Sequence, residues 1–226
     1  AQRVVNKLRL FPLDHGLVVY DTVIGEAFVW NGVNFESFNA TSSGNDWTLT
    51  GNAGTVDGTN FIGTTDNVPL TFRANNQQAG RIETGTPFNT FFGYRSGENT
   101  GVAQGNAGFG YHALLNNTTV DNSAFGYQAM EQTINGNANT AFGSRALTGN
   151  ISSNNNTAVG ALSLANATGA DNTGIGRDAL NFSSGSFNTA LGAWTGVFNS
   201  TGSNNLFLGY SAGYPVFSVA NAIQSG

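Results

Sequence analysis

Apolar residues in the second half of this chain return at a fixed interval. The string Asn139-Thr140-Ala141-Phe142-Gly143 recurs as Asn122-Ser123-Ala124-Phe125-Gly126, Asn156-Thr157-Ala158-Val159-Gly160, Asn172-Thr173-Gly174-Ile175-Gly176 and Asn188-Thr189-Ala190-Leu191-Gly192. Weaker copies stand at 89–93, 106–110 and 205–209, so the closing glycines fall at 93, 110, 126, 143, 160, 176, 192 and 209, always 16 or 17 residues apart. Each copy runs on to a second apolar pair, as in Ala113-Leu114, Ala129-Met130, Ala146-Leu147 and Ala179-Leu180. A polar, turn-prone return such as Asn116-Asn117-Thr118-Thr119 follows. Internal repetition of this kind sets the architecture before any single element does.

One unit therefore predicts a short strand, a glycine bend, a second apolar segment and a polar return. Sixteen residues are too few for a pair of helices, but they suit one coil of a β-solenoid whose coils stack at the inter-strand spacing of about 4.8 Å. The expected fold class is all-β: a β-solenoid or β-roll fibre with 16–17 residues per coil, eight copies making a rod segment of roughly 35–40 Å. The row Phe92, Phe109, Phe125, Phe142, Val159, Ile175, Leu191 and Leu208 reads as a core row, four aromatics followed by four aliphatics. A second apolar row runs through Leu114, Met130, Leu147, Leu164 and Leu180. Two such rows on so thin a rod predict lateral burial as well as burial between coils. That points to several chains around one axis, an intertwined homotrimer; a monomer with both rows inside is the competing arrangement. The row Asn89, Asn106, Asn122, Asn139, Asn156, Asn172, Asn188 and Asn205 is complete. It predicts a structural ladder of amides bonded from coil to coil.

The first hundred residues follow another pattern. Gly16-Leu17-Val18-Val19-Tyr20-Asp21 and Glu26-Ala27-Phe28-Val29-Trp30-Asn31-Gly32 predict two strands, the second leading into a turn at Asn31-Gly32. The alternating Val33-Asn34-Phe35-Glu36-Ser37-Phe38 predicts a third, and the Ser/Gly/Asn stretch at 42–46 a linker. Short extended pieces follow at Asn60-Phe61-Ile62-Gly63 and Pro69-Leu70-Thr71-Phe72-Arg73. The expected organisation is a β-hairpin module over 1–45, a short β connecting module over 46–83, the eight-copy solenoid over 84–213 and a tail over 214–226.

Composition narrows the function. Gly and Asn number 31 each in 226 residues, and both tolerate the bends that a coil needs. Aromatic content is 12%, with 17 Phe, so there is apolar surface to bury and the chain is no disordered linker. Charged side chains are 9%, and only six of them lie in 101–226. A formal net charge of −5, with scattered arginines and Lys7 the only lysine, predicts no nucleic-acid partner, because that affinity comes from clustered basic residues. No run of about 18 apolar residues occurs, so no membrane insertion is expected. The absence of cysteine removes disulfides, zinc-thiolate sites and thiol catalysis.

Specific strings then carry a resemblance. Trp47-Thr48-Leu49-Thr50-Gly51-Asn52-Ala53-Gly54, Asn60-Phe61-Ile62-Gly63-Thr64-Thr65-Asp66-Asn67, Pro69-Leu70-Thr71-Phe72-Arg73 and Arg81-Ile82 resemble a module of long fibrous proteins. Those proteins are phage tail fibres and secreted surface proteins of Bacteroidetes-type bacteria. The Asn-Thr-Ala-x-Gly repeat is similar in style to the head repeats of trimeric autotransporter adhesins, with longer coils. The resemblance extends from residue 15 to about 213. It implies a homotrimer in an extracellular or virion setting and does not imply an enzyme. Many such fibres end in a self-cleaving chaperone, and nothing matching one follows Ala212-Gly213.

Catalytic constellations are thin. His15 and His112 are the only histidines, and no Ser/His/Asp order can be built on them. His112 sits at a repeat position held elsewhere by Gln128, Arg145, Leu162 and Asp178, which predicts a surface residue. Glycoside hydrolysis needs two acids across a cleft, whereas Asp121, Glu131, Asp171 and Asp178 occupy unrelated phases. Gly174-Ile175-Gly176 and Gly108-Phe109-Gly110 lack the Lys-Ser/Thr of a phosphate loop. The returns carry Asn and Ser where calcium-binding β-rolls need aspartates. No catalytic residue, metal site or cofactor is expected. The expected function is a structural fibre or stalk of a virion tail or extracellular filament that presents a receptor-recognition surface. A bacterial adhesin binding a cell-surface glycan or protein through its repeat loops is the alternative, and a polysaccharide-degrading tailspike the third.

Overall fold

The structure, a computed structural model, describes residues 18–21, 26–30, 35–37, 50–214 and 223–225. The turn expected at Asn31-Gly32 and the linker expected at 42–46 lie outside these. The chain divides into two compact units, residues 1–62 and 63–226. In the first, β1 (Val18–Asp21), β2 (Glu26–Trp30) and β3 (Phe35–Ser37) form a three-stranded antiparallel sheet in sequence order, with Val18 opposite Val29 and Trp30 opposite Phe35. These are the three strands the alternating pattern predicts.

The second unit is a β-solenoid. Its eight three-residue strands are β6 (Thr90–Phe92), β7 (Ala107–Phe109), β8 (Ser123–Phe125), β9 (Thr140–Phe142), β10 (Thr157–Val159), β11 (Thr173–Ile175), β12 (Thr189–Leu191) and β13 (Leu206–Leu208). Each pairs in parallel with the next in unbroken register, Thr140 beside Thr157 beside Thr173. Seven full turns join them. Ahead of the solenoid, β4 (Leu70–Ala74) and β5 (Gln77–Ile82) form a hairpin whose second strand pairs antiparallel with β6. At the other end β14 (Ile223–Ser225) adds a parallel rung to β13. The expected division at 83/84 therefore falls inside one continuous sheet, and the stretch read as a tail contributes a strand.

The coil from Asn139 to Asn155 shows why this sequence bends as it does. After β9, Ala146 N–H donates to Gly143 C=O, and Thr148 N–H to Arg145 C=O. Arg145 and Leu147 have φ of 56° and 51°, so these are two overlapping turns with a left-handed third residue, the type II pattern. A left-handed leucine costs about 1–2 kcal/mol, and full burial of its side chain returns about 1.5–3 kcal/mol. Leu147 is wholly buried, as are Leu114, Met130, Leu164 and Leu180 at the same place in their coils. Gly143 turns the corner at φ 145°, and a Cβ there would stand 2.6 Å from the Gly160 carbonyl of the next coil. Only glycine lets successive corners stack that closely.

The row read as core faces outward, and this corrects the sequence reading. Phe92, Phe142, Ile175, Leu191 and Leu208 are exposed, Phe142 by 60%, while Phe109, Phe125 and Val159 are half-buried. The interior row is one residue earlier: Phe91, Gly108, Ala124, Ala141, Ala158, Gly174, Ala190 and Phe207. Side chains alternate along a strand. Asn139 and Phe142 are three residues apart, so they point to opposite faces, and the asparagines take the inside. The leucines of the turn already fill the coil, leaving room on the strand for alanine or glycine only. Where the turn carries glycine instead, the exchange reverses. Phe91 fills the space over Gly97, and Phe207 that over Gly196, where a Cβ would meet the rings at 2.5 and 2.9 Å.

Candidate functional site

Three rows run the length of the solenoid, one inside and two outside. The inner one is the asparagine row, buried in every coil. Asn89 Oδ1 accepts the Asn106 backbone N–H at 2.8 Å, and the pattern repeats through Asn122, Asn139, Asn156, Asn172, Asn188 and Asn205 at 2.9–3.1 Å. Each carboxamide from Asn89 to Asn188 thus accepts from the main chain of the next coil. The Nδ2 groups reach the return segments instead: Asn122 donates to Gly136 C=O at 2.8 Å, Asn139 to Ser153 C=O at 2.9 Å and Asn172 to Gly185 C=O at 3.0 Å. Asn156 Nδ2, among the described residues, is buried without a partner. These are hydrogen bonds to backbone groups that would otherwise be orphaned in the interior, where each unmade bond costs about 1–3 kcal/mol.

The first outer row is the apolar stripe on the open face of the sheet. Phe92, Phe109, Phe125 and Phe142 stack in sequence, with ring centroids 4.8–5.8 Å apart, and Phe72 meets Phe92 at 5.7 Å with its ring tilted by 36°. Val159, Ile175, Leu191 and Leu208 continue the line. Because the rings lie face to face within the row, they present their edges outward.

The second outer row lies just past the glycine corner. Tyr94, Tyr111 and Tyr127 stack at 5.7 and 5.2 Å, and His112 lies on Tyr111 at 3.9 Å. Arg145 stands 5.8 Å over Tyr127, and Arg177 5.0 Å over Trp194. Tyr210, 72% exposed, ends the row. All three arginines of the solenoid sit at this corner. Arg95 is bonded to Glu98, which holds its guanidinium above the ordinary value. Arg177 lies 3.6 Å from Asp178, while Arg145 bonds only to Gln128 Oε1, at 3.0 Å. Sequence reasoning missed this row, although Tyr94, Tyr111 and Tyr127 each follow a repeat glycine directly.

The chain matches no protein-family model, no curated protein and no solved structure. His112, expected at the surface, is half-buried: its Nδ1 lies 2.7 Å from Glu131 Oε1 of the next coil, and its Nε2 is buried without a partner. The structure does not gather the four acidic residues. Asp171 accepts from Asn155 at 3.0 Å and Asp178 from Asn181 at 3.0 Å, each within its own neighbourhood. No group of three His, Asp or Glu side chains that could hold a metal ion occurs among the described residues. A cleft of about 60 Å³ beside Asn67, Pro69, Glu83 and Pro87 has room for a few waters and is far below the 300–1,000 Å³ of a ligand site.

Proposed function

We propose that this chain is a structural segment of an extracellular or virion-borne fibre, a stalk whose solenoids associate as a homotrimer. The observation that carries the reading is the apolar stripe from Phe92 to Leu208, eight side chains at one position of eight consecutive coils. Its exposed area is on the order of 500 Å², at the upper end of the largest apolar patches on monomeric proteins (about 300–600 Å²). With its polar flanks it approaches the roughly 800 Å² that each partner of a stable interface buries. Copies of the same chain fit it because their stripes have the same period. The interior ladder and the stacked corners suit a load-bearing rod. Sedimentation of the purified chain is expected to give roughly three times 23.5 kDa. A folded species that stays monomeric at high concentration overturns the proposal.

The Tyr/Arg/Trp corner favours a second reading, an adhesin that binds a surface glycan or protein along that edge. Tyrosine, tryptophan and arginine are the residue types that dominate binding energy at interfaces. Binding to target cells that is lost in Arg145→Gln, while the assembly state is kept, would favour it over a passive stalk.

A further inference from the structure

A different part of the coil carries chemistry of its own. Asn135-Gly136 is the one Asn-Gly pair among the described residues, on the return segment between β8 and β9 and off the apolar stripe. Around it much of the backbone is engaged. Asn135 N–H donates to Ile151 C=O at 2.8 Å, and Gly136 C=O accepts from Asn122 Nδ2 at 2.8 Å and Thr119 Oγ1 at 2.6 Å. Asn137 N–H donates to Asn154 Oδ1 at 2.7 Å, and its own Oδ1 accepts from Val120 N–H at 3.2 Å. Neither the exposed Asn135 carboxamide nor the N–H of Gly136, itself a buried residue, makes a hydrogen bond. They are the electrophile and the nucleophile of one reaction. Gly136 adds no side chain of its own beside that nitrogen.

We propose that Asn135 is a site of spontaneous deamidation in the folded protein. Gly136 N bonds to Asn135 Cγ, the Cγ–Nδ2 bond breaks, and the displaced proton leaves with the amide nitrogen as ammonia. The product is a five-membered succinimide. Water then opens it. Cleavage of the Cγ–N bond yields aspartate, and cleavage of the bond between the Asn135 main-chain carbonyl and Gly136 N yields isoaspartate. Nothing is oxidised or reduced, and water is the only co-reactant.

The fold gives the event its consequence. Either product places a new negative charge on a return segment that has none at 132–137. Isoaspartate also routes the main chain through one more methylene, immediately ahead of the Gly136 carbonyl that holds the Asn122 carboxamide. A rung of the interior ladder is therefore tied to a residue that changes with time; if the chain forms the fibre proposed above, the conversion would mark and loosen its oldest copies.

The test incubates the full chain, folded, in warm, mildly alkaline buffer, beside the same chain unfolded in urea. Peptide mapping reads the mass gain at 135–136, and an isoaspartyl methyltransferase labels the isoaspartate. The folded chain is expected to convert at Asn135 within about tenfold of the unfolded rate, one tenfold step corresponding to about 1.4 kcal/mol of added barrier. The aged protein is expected to melt below an equally aged Asn135→Gln variant, whose longer side chain closes the ring poorly. Folded-state conversion more than about tenfold slower overturns the proposal, since the surrounding hydrogen bonds would then hold the backbone out of reach. So does conversion spread over other asparagines with none enriched at 135.

Discussion

Alanine at Leu147 and alanine at Phe142, made separately, distinguish the inside of a coil from its outside. Leu147 is fully buried in the interior of its coil. Leucine-to-alanine changes at such sites cost about 2.7–5.0 kcal/mol, so about 3 kcal/mol is expected here. In a chain of this size that lowers the melting temperature by roughly 6–12 °C. Phe142 is 60% exposed, so in a single chain about two-fifths of its burial is lost, about 1 kcal/mol. The proposed assembly adds a second effect, because the same ring would lie between chains. Circular dichroism melts at several concentrations, paired with sedimentation, separate the two. Leu147→Ala should destabilise equally at every concentration and leave association intact. Phe142→Ala should melt close to the parent when dilute and lose the assembled species when concentrated. If Phe142→Ala is as costly as Leu147→Ala at the highest dilution, the stripe is interior and the packing described above is wrong.

Other substitutions reach the ladder and the corners. Asn139→Ala removes three hydrogen bonds, from Asn156 N–H and to Ser153 C=O and Asn122 Oδ1, whereas Asn156→Ala removes the one from Asn172 N–H. With unpaired buried groups costing about 1–3 kcal/mol each, urea titration should place Asn139→Ala clearly below Asn156→Ala. The reverse order would mean that the carboxamide bonds carry little weight. Gly143→Ala forces a methyl to within 2.6 Å of the Gly160 carbonyl at φ 145°, and the expected result is loss of soluble folded protein; normal yield and an unchanged melt would contradict that geometry. Incubation with capsular polysaccharide should release no reducing ends, and turnover abolished by Asp171→Asn or Asp178→Asn would reinstate the tailspike reading.

Much of this fold is legible in the sequence because one short motif repeats. The glycines at 16–17 residue intervals give the coil length, and the Val/Tyr/Phe/Trp alternation over 18–37 gives the first sheet. The inside and outside of the strand were also within reach. Asn139 and Phe142 differ in parity, so a strand cannot bury both, and hydrophobicity alone names the wrong one. What overrides it is volume. The interior is filled from the turn by Leu147 and its equivalents, a contribution seen only once those residues are known to be left-handed. The pairing of β5 with β6 carries no repeat signature, and β14 keeps little beyond a glycine 17 residues after Gly209. The tyrosine corner was hidden for another reason: its members are spread over coils and change identity, Tyr127 giving way to Ser144, Ala161 and Arg177.

The direction of the hydrogen bonds governs how such a rod meets mechanical load. Strands of three residues lie across the long axis, and every bond from Asn89 Oδ1 to Asn205 N–H points along it. Tension applied at the two ends therefore opens one rung at a time, as a zipper does, and the force at failure is that of a single coil however many are stacked. A lone solenoid is stiff when bent or compressed and weak when pulled. Neighbouring copies gripping the same apolar stripe would share the strain sideways across many rungs, so that peeling one rung requires sliding a whole row of side chains.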